Sequence, residues 1–112
     1  LDPINQITGL LQDWTTNRQS ARTIEDIFNK LPYTDENKEY TFFRMDDFYS
    51  FCKRNNWEMD KIKTGNLIKQ LDCFEKEIRK ELKGGMPRLI QIKTMDKQET
   101  TVSQVAYQEE NF

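Results

Sequence analysis

Apolar side chains recur with the spacing of a helix in two segments near the start of the chain. The first follows Asp2-Pro3, a helix-start signal, and predicts a helix over residues 3–16 with an apolar face of Ile4, Ile7, Leu10, Leu11 and Trp14. The second predicts a helix from Thr23 to Pro32 with an apolar face of Ile24, Ile27, Phe28 and Leu31. Both helices precede the remaining elements of the chain.

Two more helices are predicted after a short strand over residues 40–44, which is rich in strand-forming residues. Asp46 is the expected N-cap of the earlier helix, which ends at Asn55-Asn56 and has an apolar face of Phe48, Phe51 and Cys52. The later helix extends from about residue 60 to 71, after a tight link, and its expected buried face is Thr64, Leu67, Ile68 and Leu71.

The C-terminal part predicts a β-hairpin over about residues 74–94. Residues 74–82 mix charged and apolar types, residues 83–87 form a turn with two glycines and a proline, and residues 88–93 are a strand. Residues 96–112 are polar, and we predict a mostly disordered tail there, with a short strand at 100–107 as the alternative. The predicted domain therefore covers residues 1–95.

This order of elements is typical of a winged helix-turn-helix with an additional N-terminal helix, a mainly α fold with a small β-hairpin (α+β). The recognition helix would be residues 60–71 and the wing residues 74–94. A length of 112 residues fits one domain, and 32% charged residues with a mean hydropathy of -0.89 predict a small core under a solvated surface. No apolar run of about 18 residues and no signal peptide is visible, so we expect a cytoplasmic protein without a membrane partner.

The composition argues against catalysis. The chain has no histidine, which removes the commonest general base and most zinc ligand sets. Cys52 and Cys73 are not spaced as a metal-binding pair, and the chain has no second pair of cysteines to complete a metal site. We therefore expect two buried free thiols. Asp46 and Asp47 could suggest a metal pair, but a helix N-terminus stabilises carboxylates without an ion. We therefore predict no catalytic residue, metal or cofactor, and a domain excised from a longer protein, because the chain starts at Leu1.

Three segments between residues 40 and 94 carry a family resemblance. They are Phe43-Arg44-Met45-Asp46-Asp47-Phe48, the stretch from Trp57 to Lys63-Thr64-Gly65, and the pair Leu67-Ile68 before a basic hairpin. This pattern resembles the winged-helix domain at the C-terminal end of poxvirus-type primase-helicases of viruses, phages and plasmids. In that family the domain follows the helicase core and contacts DNA. The resemblance therefore implies an accessory module of DNA replication, with other replication proteins as further partners.

Charge is distributed unevenly along the chain, although the net charge is only -2. Residues 53–93 contain eleven basic and six acidic side chains, whereas residues 1–39 and 94–112 each carry a net charge of -3. The basic block coincides with the predicted recognition helix and wing. This coincidence is what attraction to a phosphate backbone requires.

If the apolar face of the helix over 60–71 is buried, its outer face presents types suited to a DNA groove. Asn and Gln can pair with adenine, Lys reaches guanine or phosphate, and Gly allows close approach of the backbone. With the basic residues of the hairpin, the predicted DNA-binding residues are Lys61, Lys63, Gly65, Asn66, Lys69, Gln70, Arg79, Lys80, Lys83 and Arg88. We expect duplex DNA rather than single-stranded DNA as the partner.

Other interpretations remain open at this point. The same helix face could simply be solvated, and the hairpin could be a salt-bridged surface. Exposed Ile62 and Met59, with the acidic front helices, could instead form a surface for another protein. A small transcriptional regulator would need a dimerisation element, for which the first helix is the only candidate. The aromatic residues Phe42, Phe43, Phe48, Phe51 and Trp57, and likewise Trp14, are expected in the core rather than on a base-stacking surface.

Overall fold

The computed structural model describes residues 2–97, which form an α+β fold of four helices and a four-stranded antiparallel sheet. The helices are α1 (Pro3–Thr16), a 3₁₀-helix (Ile24–Asn29), α2 (Met45–Arg54) and α3 (Lys61–Ile68). The strands are β1 (Tyr33–Thr34), β2 (Tyr40–Phe43), β3 (Phe74–Arg79) and β4 (Arg88–Lys93). The tail predicted over residues 96–112 lies outside the described residues from position 98 onward.

Side-chain caps fix the start of two helices. The Asp2 carboxylate accepts a hydrogen bond from the Ile4 N–H at 3.0 Å, and the Asp60 carboxylate accepts one from the Lys63 N–H at 2.8 Å. The prediction of Asp46 as the N-cap of α2 is wrong, because the N-cap is Arg44 and Asp46 lies in the first turn. A carboxylate there still faces the positive end of the helix dipole, which explains why the composition of the segment suggested a helix start.

Two predicted helices differ from the structure in length or type. The helix predicted to reach residue 71 ends at Ile68, because the N–H groups of Gln70 and Leu71 bond to carbonyls three residues back rather than four. These tighter turns lead the chain toward β3. The predicted second helix is a short 3₁₀-helix that ends at Asn29, and the following residue, Lys30, has a left-handed φ of 67°.

The sheet has the strand order β1-β2-β4-β3, so β4 pairs with both β2 and β3. The predicted strand and hairpin are confirmed, and the sheet also contains β1, which the sequence analysis did not predict. One face of the sheet carries Phe43, Ile90 and Ile92 and packs against the α-helices. We call this the helical face, and the other, which carries Phe42 and Gln91, the back face.

The main core lies between the helical face and the three α-helices. Trp14 of α1 lies at its centre, with its ring 5.4 Å from the rings of Phe43 and Phe48 and 6.3 Å from Phe51. Trp57 is also buried, and its indole N–H donates a hydrogen bond to the Thr64 hydroxyl at 2.8 Å. These five aromatic residues are core residues, as predicted, whereas Phe42, which was also predicted for the core, is only half-buried and lies on the back face.

A smaller cluster under the back face attaches the 3₁₀-helix to the hairpin. Ile27, Leu82 and Leu89 form its buried part. At the hairpin turn, the Lys83 N–H donates a hydrogen bond to the Glu25 carboxylate at 2.9 Å. The hairpin turn is therefore held against the 3₁₀-helix and does not project freely.

Both cysteines are free thiols, as predicted, but the prediction that both are buried is confirmed only for Cys52. Cys52 is buried in the main core, and this burial raises its pKa to about 12. Cys73 is half-buried, and burial also raises its pKa. A group with such a raised pKa stays protonated at neutral pH, and a thiol is a poor nucleophile in that form.

Candidate nucleic-acid interface

A groove with a volume of about 740 Å³ opens between α3, the start of α2 and the β3–β4 hairpin. It is formed because α3 packs against the core through Thr64 and Ile68, which leaves its opposite side facing the hairpin. Six of the ten predicted DNA-binding residues line this groove: Lys61, Gly65, Asn66, Lys69, Arg79 and Arg88. The structure therefore places residues of the predicted recognition helix and residues of the predicted wing on one surface.

The other four predicted residues do not line the groove. Lys63 and Gln70 are exposed on or just after α3, and Lys83 is exposed at the hairpin turn. Lys80 lines a hollow on the back face of the sheet. It follows Arg79 in sequence, and successive side chains of a strand point to opposite faces, so the pair could not share one surface.

Arg44 also lines the groove and was missed by the sequence-based prediction. Its guanidinium donates to the buried Asp47 carboxylate at 2.7 and 3.4 Å and lies 5.4 Å from the centre of the Phe28 ring. Arg44 and Asp47 are three residues apart at the start of α2, and this spacing could have indicated the ion pair from the sequence. The Arg44–Asp47 pair fixes one end of the groove.

Two further ion pairs neutralise a lysine at the start of α3 and a lysine just after its end. Lys61 donates to Asp46 at 2.7 Å, and this hydrogen bond raises the pKa of Lys61. Lys69 lies 3.0 Å from Glu77 of β3. Three of the five basic side chains that line the groove therefore have a carboxylate partner within it.

Arg79 and Arg88 are the exceptions. They are directly opposite each other in the antiparallel register of β3 and β4, and both line the groove. Within residues 2–97, neither has a carboxylate within 4.0 Å. Like charges directly opposite each other destabilise a sheet, so this arginine pair is a local cost that a bound anion would remove.

Apolar atoms form part of the rim. Ile62 of α3 is 77% exposed and Met86 of the hairpin turn is 56% exposed. Met59, which was expected to share a surface with Ile62, instead packs against the main core. Only Ile62 of the two is available to a partner.

Chemistry-bearing clusters of other kinds are not found in the described part of the chain. Residues 2–97 contain no group of three or more His, Cys, Asp or Glu residues that could hold a metal ion. Asp46 and Asp47 bind Lys61 and Arg44, respectively. Within the same residues no helix is long and apolar enough to cross a membrane.

Comparisons with protein-family models, with curated proteins and with solved structures found no match for this chain. The groove itself therefore supplies the basis for a functional proposal.

Proposed function

We propose that the chain is a winged-helix module that binds duplex DNA through the groove between α3 and the β3–β4 hairpin. The predicted order of elements supports the fold: β2 precedes α2, a six-residue link leads to α3, and the hairpin follows. The hairpin also lies in the same sheet as β2, so α3 and the hairpin have a fixed relative position. This arrangement lets one helix and one hairpin contact the same ligand.

The observation that carries the proposal is the Arg79–Arg88 pair. Two guanidinium groups without a carboxylate partner, held side by side on adjacent strands, form a site for phosphate oxygens. Such a pair of like charges does not stabilise the folded chain itself. Neutralisation by a phosphate backbone gives the pair a function.

The exposed side of α3 supports a DNA duplex as the ligand. Gly65 leaves open space beside the helix, since a Cβ atom at this position would have no neighbour within 4 Å. Asn66 is exposed next to it, and its amide can make a bidentate contact with adenine in the major groove. We assign phosphate contacts to the arginine pair and base contacts to Asn66.

Exposed Ile62 favours a second candidate, a surface for another protein. An isoleucine that is 77% exposed on the groove rim is unusual for a residue type that is normally inside. The dimeric regulator has less support, because α1 uses Ile7, Leu11 and Trp14 for the core of its own chain. An apolar partner would contact Ile62 and Met86, whereas DNA would contact the arginine pair.

The resemblance to poxvirus-type primase-helicases extends the proposal to a replication protein of a virus or mobile element. In this proposal the module acts inside the cell, contacts other replication proteins, and contributes no catalytic group of its own. Any catalysis would lie in a different part of that protein.

The proposal is tested by titrating the ¹⁵N-labelled chain with a short DNA duplex and following the amide signals. We expect shifts at Gly65, Asn66, Arg79 and Arg88, and their loss in an Arg79→Gln/Arg88→Gln double variant. Arg22→Gln is the matched control, because Arg22 is an exposed arginine that does not line the groove. Shifts confined to residues 2–31, or a double variant that binds as the parent does, would contradict the proposal.

A further inference from the structure

The back face of the sheet carries a row of four side chains that crosses all four strands. Tyr33 of β1 is opposite Phe42 of β2, Phe42 is opposite Gln91 of β4, and Gln91 is opposite Lys76 of β3. Neighbouring strands are about 4.8 Å apart, so the row is about 14 Å long. Two aromatic rings, an amide and an ammonium group therefore follow one another in a line.

The aromatic end of this row is open to a ligand. The rings of Tyr33 and Phe42 are stacked with their centres 6.5 Å apart and an angle of 25° between their planes, and both residues are half-buried. They line a hollow with a volume of about 400 Å³, whose wall also includes Ile24 of the 3₁₀-helix. Unlike the other aromatic residues predicted for the core, Phe42 has a surface that a flat ligand can cover.

Gln91 gives this hollow an unused hydrogen-bonding group. The residue is only 8% exposed, yet its side-chain amide makes no hydrogen bond with any residue of the described range. The Gln91 side chain lines the hollow. A buried polar side chain is usually hydrogen-bonded, and here the partner would be a ligand.

Basic side chains outnumber acidic ones in the lining of the hollow. Lys76 and Lys80 line it, and neither has a carboxylate within 4.0 Å among the described residues. Asp35, which follows β1, is the one carboxylate in the lining. An anionic chain would therefore be attracted to the lysines on and just after β3 and repelled from the turn between β1 and β2.

We propose that the back face is a second nucleic-acid site, which binds a single strand. A base stacks on the Tyr33–Phe42 pair, the Gln91 amide bonds to the edge of that base, and Lys76 and Lys80 contact phosphates. Lys76 on β3 and Lys80 just after it are four residues apart, about 13 Å in an extended chain, a spacing at which the two ammonium groups can contact separate phosphates of one strand. This site lies on the other side of the sheet from the groove and does not depend on duplex binding there.

The test measures binding of a fluorescent twelve-nucleotide oligothymidine by anisotropy. We expect Tyr33→Leu to weaken binding about tenfold, because a leucine offers no ring for stacking, and Tyr33→Phe to bind as the parent does. Lys76→Gln should reduce the slope of log K against log salt by about 0.7, the value for one phosphate contact on a single strand. Arg22→Gln, on an exposed arginine outside the hollow, should leave affinity and slope unchanged.

Several outcomes would overturn the single-strand site. They are no binding of the oligonucleotide by the parent chain, an unchanged affinity of folded Tyr33→Leu, and equal affinity for thymidine monophosphate and the strand. Because Tyr33 also packs against the cluster under the back face, Lys76→Gln provides a second variant at an exposed position. The Arg79→Gln/Arg88→Gln variant should lose duplex binding and keep single-strand binding. Failure of one site is thus distinguishable from failure of the other.

Discussion

Replacing Gly65 by Ala should stabilise the chain and at the same time weaken duplex binding. Gly65 lies in the middle of α3, where glycine costs about 0.8 to 1.0 kcal/mol relative to alanine. A Cβ atom at this position meets no other atom within 4 Å, so no clash offsets the gain in helix propensity. The expected increase in the free energy of unfolding is therefore close to 1 kcal/mol, or about 4 to 8 °C in Tm.

Duplex binding should respond in the opposite direction. The added methyl group would extend into the groove, between α3 and the DNA backbone or bases. Because the proposed complex needs close approach of the helix backbone, we expect an affinity loss of at least about fivefold, equivalent to about 1 kcal/mol. Thermal unfolding and anisotropy with a labelled duplex measure the two effects on the same preparation.

Gly9→Ala is the matched control. Gly9 lies within α1, and a Cβ atom there also has no neighbour within 4 Å, but the residue is remote from the groove lining. This variant should gain the same stability and bind DNA unchanged. If Gly65→Ala gained stability and kept the affinity of the parent, α3 would not approach DNA closely. A lower Tm for Gly65→Ala would refute the open space beside the helix.

Three further predictions concern the fold. Gly84→Ala should lower the free energy of unfolding by about 1 to 3 kcal/mol in urea denaturation, because its Cβ atom would lie 2.7 Å from the Phe28 ring; unchanged stability would mean that the hairpin turn is not held there. Ile68→Ala should cost about 2 to 5 kcal/mol, because the side chain is fully buried, and a smaller loss would place α3 outside the core. Cys52 should resist thiol reagents at pH 8 in the folded chain, and rapid labelling would contradict its burial. Because its pKa rises from 9.0 to about 12 on folding, this thiol stabilises the fold below pH 9, and that contribution should decline between pH 9 and 12.

The sequence predicted correctly those elements for which several local signals indicate the same structure. For α1, the Asp2 cap, Pro3 and the apolar period all indicate the same helix, and its observed bounds match the prediction. The end of α3 was placed too late because Leu71 continues the apolar period after the backbone has left the helix. The two-residue strand β1 has no period to detect, since it is defined only by its pairing with β2.

The candidate site was predictable only where one element determines it. Gly65, Asn66 and Lys69 line the groove because the buried face of a helix determines its outer face, and their contact with DNA stays a prediction. The pairing of Lys69 with Glu77 joins two separate elements and has no local sequence signal. The row across the back face depends on the register of all four strands, which tertiary pairing sets, so the sequence pattern did not reveal it.

The salt dependence of duplex binding tests the central proposal most directly. A paired lysine that binds a phosphate gives up its carboxylate partner, and the freed carboxylate then attracts a cation from solution. Such lysines therefore release few counterions in total, so Arg79 and Arg88 should dominate counterion release. Two phosphate contacts give a slope of log K against log salt of about -1.8. We expect that slope for the parent chain and for Arg22→Gln, and loss of duplex binding for the Arg79→Gln/Arg88→Gln variant. A double variant that retained the slope and affinity of the parent would contradict the assignment of the groove as the DNA-binding site.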